Sequence, residues 1–133
     1  MINENLIKKA ATVIKAKKIK DSLFADVGCA LLSAKGKVYV GVCAGTDWSH
    51  GFCAEQNAIG SMITDGEYGI KKIVAVWKDK KGSTFVIPPC GNCRQFMQNT
   101  DESNLGTEVI LDRNKTVKLK DLLPYYDWWK QQS

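Results

Sequence analysis

The sequence predicts an α/β domain in three layers, a mixed sheet held between helices on both faces. Segments with a helical period alternate with short apolar runs of strand length, in the order α-β-β-α-β-α-β-α. Two of the helices are separated by a strand, which favours helices on both faces of the sheet. The chain has 133 residues, 44% hydrophobic and 25% charged, the size and composition of one ordinary globular domain spanning 1–133. A domain near this size hides roughly two-thirds of its unfolded surface, so a substantial core is expected.

Residues 3–18 have the pattern of a first helix, with Leu6, Ala10, Val13 and Ile14 recurring at helical spacing among lysines. Lys20-Asp21-Ser22 breaks it. Residues 27–32 are an apolar run short enough for a buried strand. Gly36 supplies a hairpin turn, and 37–42 return as a second strand. Five turn-forming residues and Asp47 crowd 41–51, which predicts a loop. Residues 53–63 form a helix on the recurrence of Ala54, Ala58 and Met62, ended by Asp65-Gly66. A strand is expected over 73–77 and a short strand or extended arm over 85–87. Pro88-Pro89 cannot lie inside a helix, so the next one starts near Cys90 and runs to 100. A strand over 109–111 and a short helix over 119–123, halted by Pro124, complete the chain.

Charge and cysteine usage narrow the function classes. The net charge is +5, with Lys8, Lys9, Lys15, Lys17, Lys18 and Lys20 crowded into the first twenty residues. We read these as a solvated helix face, because no basic groove interleaved with aromatics accompanies them; nucleic acid is not an expected partner. No apolar run approaches the ~18 residues of a membrane span, and 1–10 lack an apolar signal core, so a cytoplasmic location is expected. Five cysteines cannot all pair. In a reducing compartment the Cys90/Cys93 pair points to metal or redox chemistry.

The chemistry concentrates in Cys53-Ala54-Glu55 and Pro89-Cys90-Gly91-Asn92-Cys93. The C-x-x-C spacing lets two thiolates reach one metal, and Cys53 would supply a third. Zinc with three protein ligands keeps an open position for water and lowers that water's pKa toward neutrality. Glu55, two residues from a ligand, could lie beside the metal without binding it and move protons. The cysteines fall at or near two helix starts, where partial positive charge favours thiolate. Other readings stay open. His50 could close a four-ligand structural site; Cys90/Cys93 could be a redox dithiol; Glu55 could be a plain first-turn carboxylate. Cys29 reads as core, and Cys43 as core or pocket lining. Trp48, Phe52, Trp128 and Trp129 could stack on an aromatic base or be buried. Asn57, Arg94 and Gln95 could support the site or face solvent.

These motifs carry a resemblance. A Cys two residues before a non-ligand Glu, followed by P-C-x-x-C, is similar to the metal site of the zinc nucleobase deaminases. With Val27-Gly28-Cys29-Ala30-Leu31-Leu32, Pro89-Cys90-Gly91-Asn92-Cys93-Arg94-Gln95 and Leu122-Leu123-Pro124, the chain resembles the cytidine deaminase family over residues 25–124. Its three cysteines match the small branch acting on free nucleosides, which includes blasticidin S deaminase. The resemblance implies a three-layer α-β-α sandwich with a mixed five-stranded sheet. It implies Zn2+ on Cys53, Cys90 and Cys93, with Glu55 as proton shuttle. The backbone near Ala54 and the Pro88 carbonyl would contact the exocyclic amine. It further implies a homotetramer with sites near subunit interfaces.

The chain departs from the family where a nucleoside's sugar is gripped. The family's N-x-E becomes Cys43-Ala44-Gly45, and neither Cys43 nor Gly45 can replace that hydrogen-bonding pair. Asp47 is the nearest other polar candidate. Gln56 replaces an arginine after C-A-E, and Ala25 a phenylalanine before V-G. The expected reaction is therefore deamination of a cytosine nucleoside or analogue, with cytidine, deoxycytidine and blasticidin S all open as substrates. The alternatives are a noncatalytic zinc-stabilised binding domain and a deaminase of polynucleotides.

Overall fold

A computed structural model of the chain describes residues 1–46 and 49–133; Asp47 and Trp48, both raised as candidate contacts, lie outside the described residues. The elements are α1 (Asn3–Thr12), β1 (Lys17–Ile19), β2 (Ser22–Ser33), β3 (Val38–Ala44), α2 (Ala54–Thr64), β4 (Ile70–Lys78), β5 (Thr84–Ile87), α3 (Gly91–Thr100), β6 (Glu108–Asp112) and β7 (Lys115–Lys118). Two 3-10 turns, Glu102–Gly106 and Leu119–Leu122, flank the last strands.

The sheet is mixed. β2 pairs antiparallel with β3 on one edge and β4 on the other. The far edge of β4 is shared: β6 runs parallel to it at Lys72 and Ile73, and β5 antiparallel from Ala75 to Lys78. β1 and β7 add to β2 and β6. The sheet thus has seven strands, not five; the five expected strands are all present and the other two are short. β1 is exposed at all three residues, so it carries no apolar alternation to betray it.

The same segment corrects the first helix. It ends at Thr12, not near residue 18, because the Lys15 N–H bonds the Ala25 carbonyl at 3.0 Å and draws the chain into the β1–β2 hairpin. Of the early lysines, only Lys8 and Lys9 therefore lie on α1. The final helix is a 3-10 turn.

Alternation along the strands builds two cores. Leu6, Ala10 and Ile14 pack on Ala30, Val74, Val76 and Ile110. On the opposite face, Ala58, Ile59, Met62 and Met97 pack on Cys29, Leu31, Ile73 and Val109. Helices thus cover both faces, the predicted three layers. α2 lies close against β3: a Cβ at Gly41 would stand 2.5 Å from the Ala58 amide nitrogen. Asn57 Nδ2 donates to the Val42 carbonyl at 3.1 Å across the same contact, so it clamps helix to strand.

Candidate metal and active site

Two helix starts meet at one end of the sheet. Cys53 is the N-cap of α2 and Cys90 the N-cap of α3, with Cys93 one turn into α3. The extended Pro88-Pro89 stretch makes this placement, since proline cannot continue a helix and α3 must begin after it. Arg94 fixes the approach: its Nε donates to the Pro89 carbonyl at 2.9 Å and Nη1 to the Leu122 carbonyl at 3.1 Å. Gln56 completes a capping box by accepting from the Cys53 N–H at 3.3 Å.

The three sulfurs lie within 4.8 Å of one another, and those of Cys53 and Cys90 are 3.8 Å apart. Sulfur ligands at about 2.3 Å in a tetrahedron stand roughly 3.8 Å apart, so the cysteines fit a zinc ion. Among the described residues this is the one such cluster, and His50, exposed, is outside it. The thiols differ. Burial, then Glu55, push Cys93 far up, and burial raises Cys53. Burial also acts upward on Cys90, but the Cys93 N–H, the neighbouring thiols and the Asn92 N–H together lower it. Three crowded thiols cannot all ionise without a cation to balance them, which is the demand a divalent metal meets.

Glu55 is 5% exposed, in the first turn of α2. Burial raises its pKa against a smaller lowering by its own backbone N–H. It lines a cavity of about 370 Å³ together with Cys53, Cys90, Ala54, Pro88, Cys43 and Gly45. The candidate contacts Ala54, Pro88, Cys43 and Gly45 thus border one space, and Trp128 and Trp129 do not line it. Phe52 lines it too and is half-exposed; Trp128 and Trp129 are exposed rather than buried in the core, and Cys29 is fully buried.

Sequence reasoning missed Asp26. It lines the same cavity, accepts from the Cys43 thiol at 3.1 Å and from Trp77 Nε1 at 3.2 Å. Burial, then the bond to Asp26, raise the Cys43 thiol, so it keeps the proton it donates. A bulge between Phe24 and Gly28 interrupts β2 here, and Ala25 adopts φ 62°. The available signal was a single acid interrupting the apolar stretch from Leu23 to Leu32.

Residues 1–106 match the family model described as the cytidine and deoxycytidylate deaminase zinc-binding region. The chain belongs to the cytidine and deoxycytidylate deaminase family. The family match takes in all three cysteines and Glu55. A cytidine deaminase of Shewanella loihica is 32% identical over 102 residues, 74% of this chain and 31% of that protein. A probable cytidine deaminase of Dictyostelium discoideum is 38% identical over 71 residues, covering 53% of this chain and 46% of its own. The chain therefore spans a third to a half of the length of these curated relatives. The crystal structure of cytidine deaminase from Burkholderia pseudomallei superposes with a TM-score of 0.71 at 28% identity, covering 93% of this chain and 98% of that one. That from Mycobacterium tuberculosis, at 23% identity, gives 0.71 over 93% and 96%, a likeness of fold.

Proposed function

We propose that the chain, acting as one domain over 1–133, is a zinc-dependent hydrolase that removes the exocyclic amine of a cytosine nucleoside or close analogue. The products are the uracil form and ammonia. The observation that carries this is a buried carboxylate, two residues after one cysteine of the cluster, on a cavity that two of those cysteines also line.

Cys53, Cys90 and Cys93 would hold the ion, which when bound supplies Lewis-acid activation of water. Glu55 does the proton work. Its carboxylate takes a proton from the attacking water and passes it to the ring nitrogen beside the amine-bearing carbon. It then carries the second water proton to the amino nitrogen, which leaves as ammonia while the carbon–oxygen double bond forms. Burial supports this role, since a raised carboxyl pKa lies nearer the pH at which it must both accept and give protons. Ala54 and Pro88 line the cavity, and in this reading their backbone groups orient the amine. The apolar lining suits a flat base, and Phe52 offers a stacking face.

Glu55→Gln tests the reading. With zinc content unchanged, kcat on a panel of cytidine, deoxycytidine and blasticidin S should fall by about 10²- to 10⁴-fold, followed by ultraviolet loss of the amino-substituted chromophore. Near-normal turnover would remove Glu55 from the mechanism.

Two settings accompany this function. Leu23 and Phe52 at the cavity, with the stacked pair Trp77 and Phe85, leave large apolar side chains exposed, which supports self-association, with a tetramer as the expected assembly. Light scattering that returned a monomer at micromolar concentration would count against it. Five unpaired cysteines suit a reducing compartment such as the cytoplasm, and no described helix is long and apolar enough to cross a membrane.

A further inference from the structure

Asp26 is a carboxylate that the described mechanism does not use, yet the fold goes to some length to place it. Ala25, directly before it, takes a left-handed φ of 62° at the β2 bulge, a conformation costly for a residue with a side chain. Bulges beside functional sites commonly re-aim a side chain. Cys43 Sγ–H and Trp77 Nε1–H then hold one oxygen each. A carboxylate has about four acceptor sites, so capacity remains for a ligand. Trp77 is in turn steadied by stacking on Phe85, with centroids 5.5 Å apart.

The cavity's charge is one-sided. Among its described lining residues the charged ones are Asp26 and Glu55, and none is Lys, Arg or His. The reacting carbon must face Glu55 and the cysteines, so the rest of the substrate meets the other lining groups, among them Asp26, Cys43 and Leu23.

We propose that Asp26 selects the substrate, accepting a hydrogen bond from a hydroxyl or ammonium on the part of a cytosine nucleoside remote from the reacting carbon, and repelling phosphorylated forms. This deepens the deaminase reading and rests on it. The pocket is thereby assigned to neutral and cationic nucleosides, not to nucleotides. Specificity comes as much from the repulsion as from the bond, because an anionic phosphate entering beside Asp26 would find no cation among the described lining residues.

The test measures Kd by calorimetry and kcat/KM on the zinc-loaded protein with cytidine, cytidine monophosphate, and the cytidine analogue whose primary hydroxyl is replaced by an amine. The wild type should favour the amine over cytidine and cytidine over the monophosphate, each by about tenfold. Asp26→Asn should shrink the span from amine to monophosphate to about threefold or less, and Asp26→Lys should invert the order. Trp77→Phe removes the bond that holds Asp26 Oδ2 in position, so the carboxylate is less well aimed and the span should narrow by a smaller factor; it keeps the question answerable should the Asp26 variants fold poorly. A wild-type preference for the monophosphate, a span unchanged in Asp26→Asn and Trp77→Phe, or binding of none of the three compounds would overturn the assignment. A loss equal for all three ligands would make Asp26 a merely structural partner of Cys43 and Trp77 and overturn it as well. The predicted ranking in Kd with no turnover of any compound would support Asp26 as the selector while sinking the hydrolytic reading.

Discussion

Cys90 and Cys93 stand three positions apart, yet the protein treats them oppositely. Cys93 is fully buried and its thiol is raised by that burial. Cys90 is exposed and held low by amide hydrogens at the start of α3, burial notwithstanding. A shared cation reconciles the two. Zinc held at about 100 times its Kd should add about 2.7 kcal/mol to stability, a rise in melting temperature on the order of 10 °C for a domain of this size. Calorimetric melts with and without a chelator should show this rise in the wild type and lose most of it in Cys90→Ser; equal shifts in both would place the ion elsewhere. These residues were legible because their spacing is local and their chemistry narrow. Asp26 was not, because its orientation depends on a bulge whose cause lies in tertiary pairing of β2 with β3 and β4. The reading of Cys43 as core or pocket lining resolves for the same reason: its thiol is tied to a carboxylate that no spacing rule connects to it.

At the scale of elements, the site depends on how two helix starts are anchored. Arg94 links the Pro89 carbonyl before α3 to the Leu122 carbonyl near the chain's end. Arg94→Ala removes two charge-assisted bonds and should cost about 1.5–3 kcal/mol in chemical denaturation; kcat should fall as well, since Cys90 sits on the loosened approach. An unfolding midpoint unchanged from the wild type would show that proline stiffness alone holds the loop. From sequence, the helix starts could be placed to within a residue, because Cys53 and the proline pair mark them. The end of α1 could not. Its apolar positions run on through Ile14, which is buried although it lies beyond the helix, so periodicity continues where the backbone has already turned.

At the scale of the molecule, strand number was harder to read than layer order. Layers follow from alternation, as in Cys29, Ala30 and Leu31, which face opposite cores in turn. β1 and β7 add hydrogen bonds at the margins with little buried surface, so hydrophobic pattern is silent about them. Far from the cysteines, Tyr39 on β3 ties the end of α2 to the sheet. Its hydroxyl lies 2.8 Å from Asp65 Oδ2 and 2.6 Å from Glu67 Oε2 as donor. Both carboxyl groups are lowered, each chiefly by that hydroxyl, with Lys37 assisting at Asp65. A group whose folded pKa is depressed stabilises at neutral pH and loses that stabilisation as pH falls through the depressed value. Tyr39→Phe should therefore melt below the wild type at neutral pH, with the gap closing below about pH 4. A gap that stayed constant across that range would assign the loss to packing instead.

The sulfurs of Cys53 and Cys90 belong to positions 37 residues apart, with α2, β4 and β5 between them. An ion joining them is a removable cross-link around nearly a third of the chain. Knotting the unfolded chain at that span would trim its entropy much as a disulfide does, so loss of the ion would loosen the tether between the two helix starts as well as disarm the chemistry.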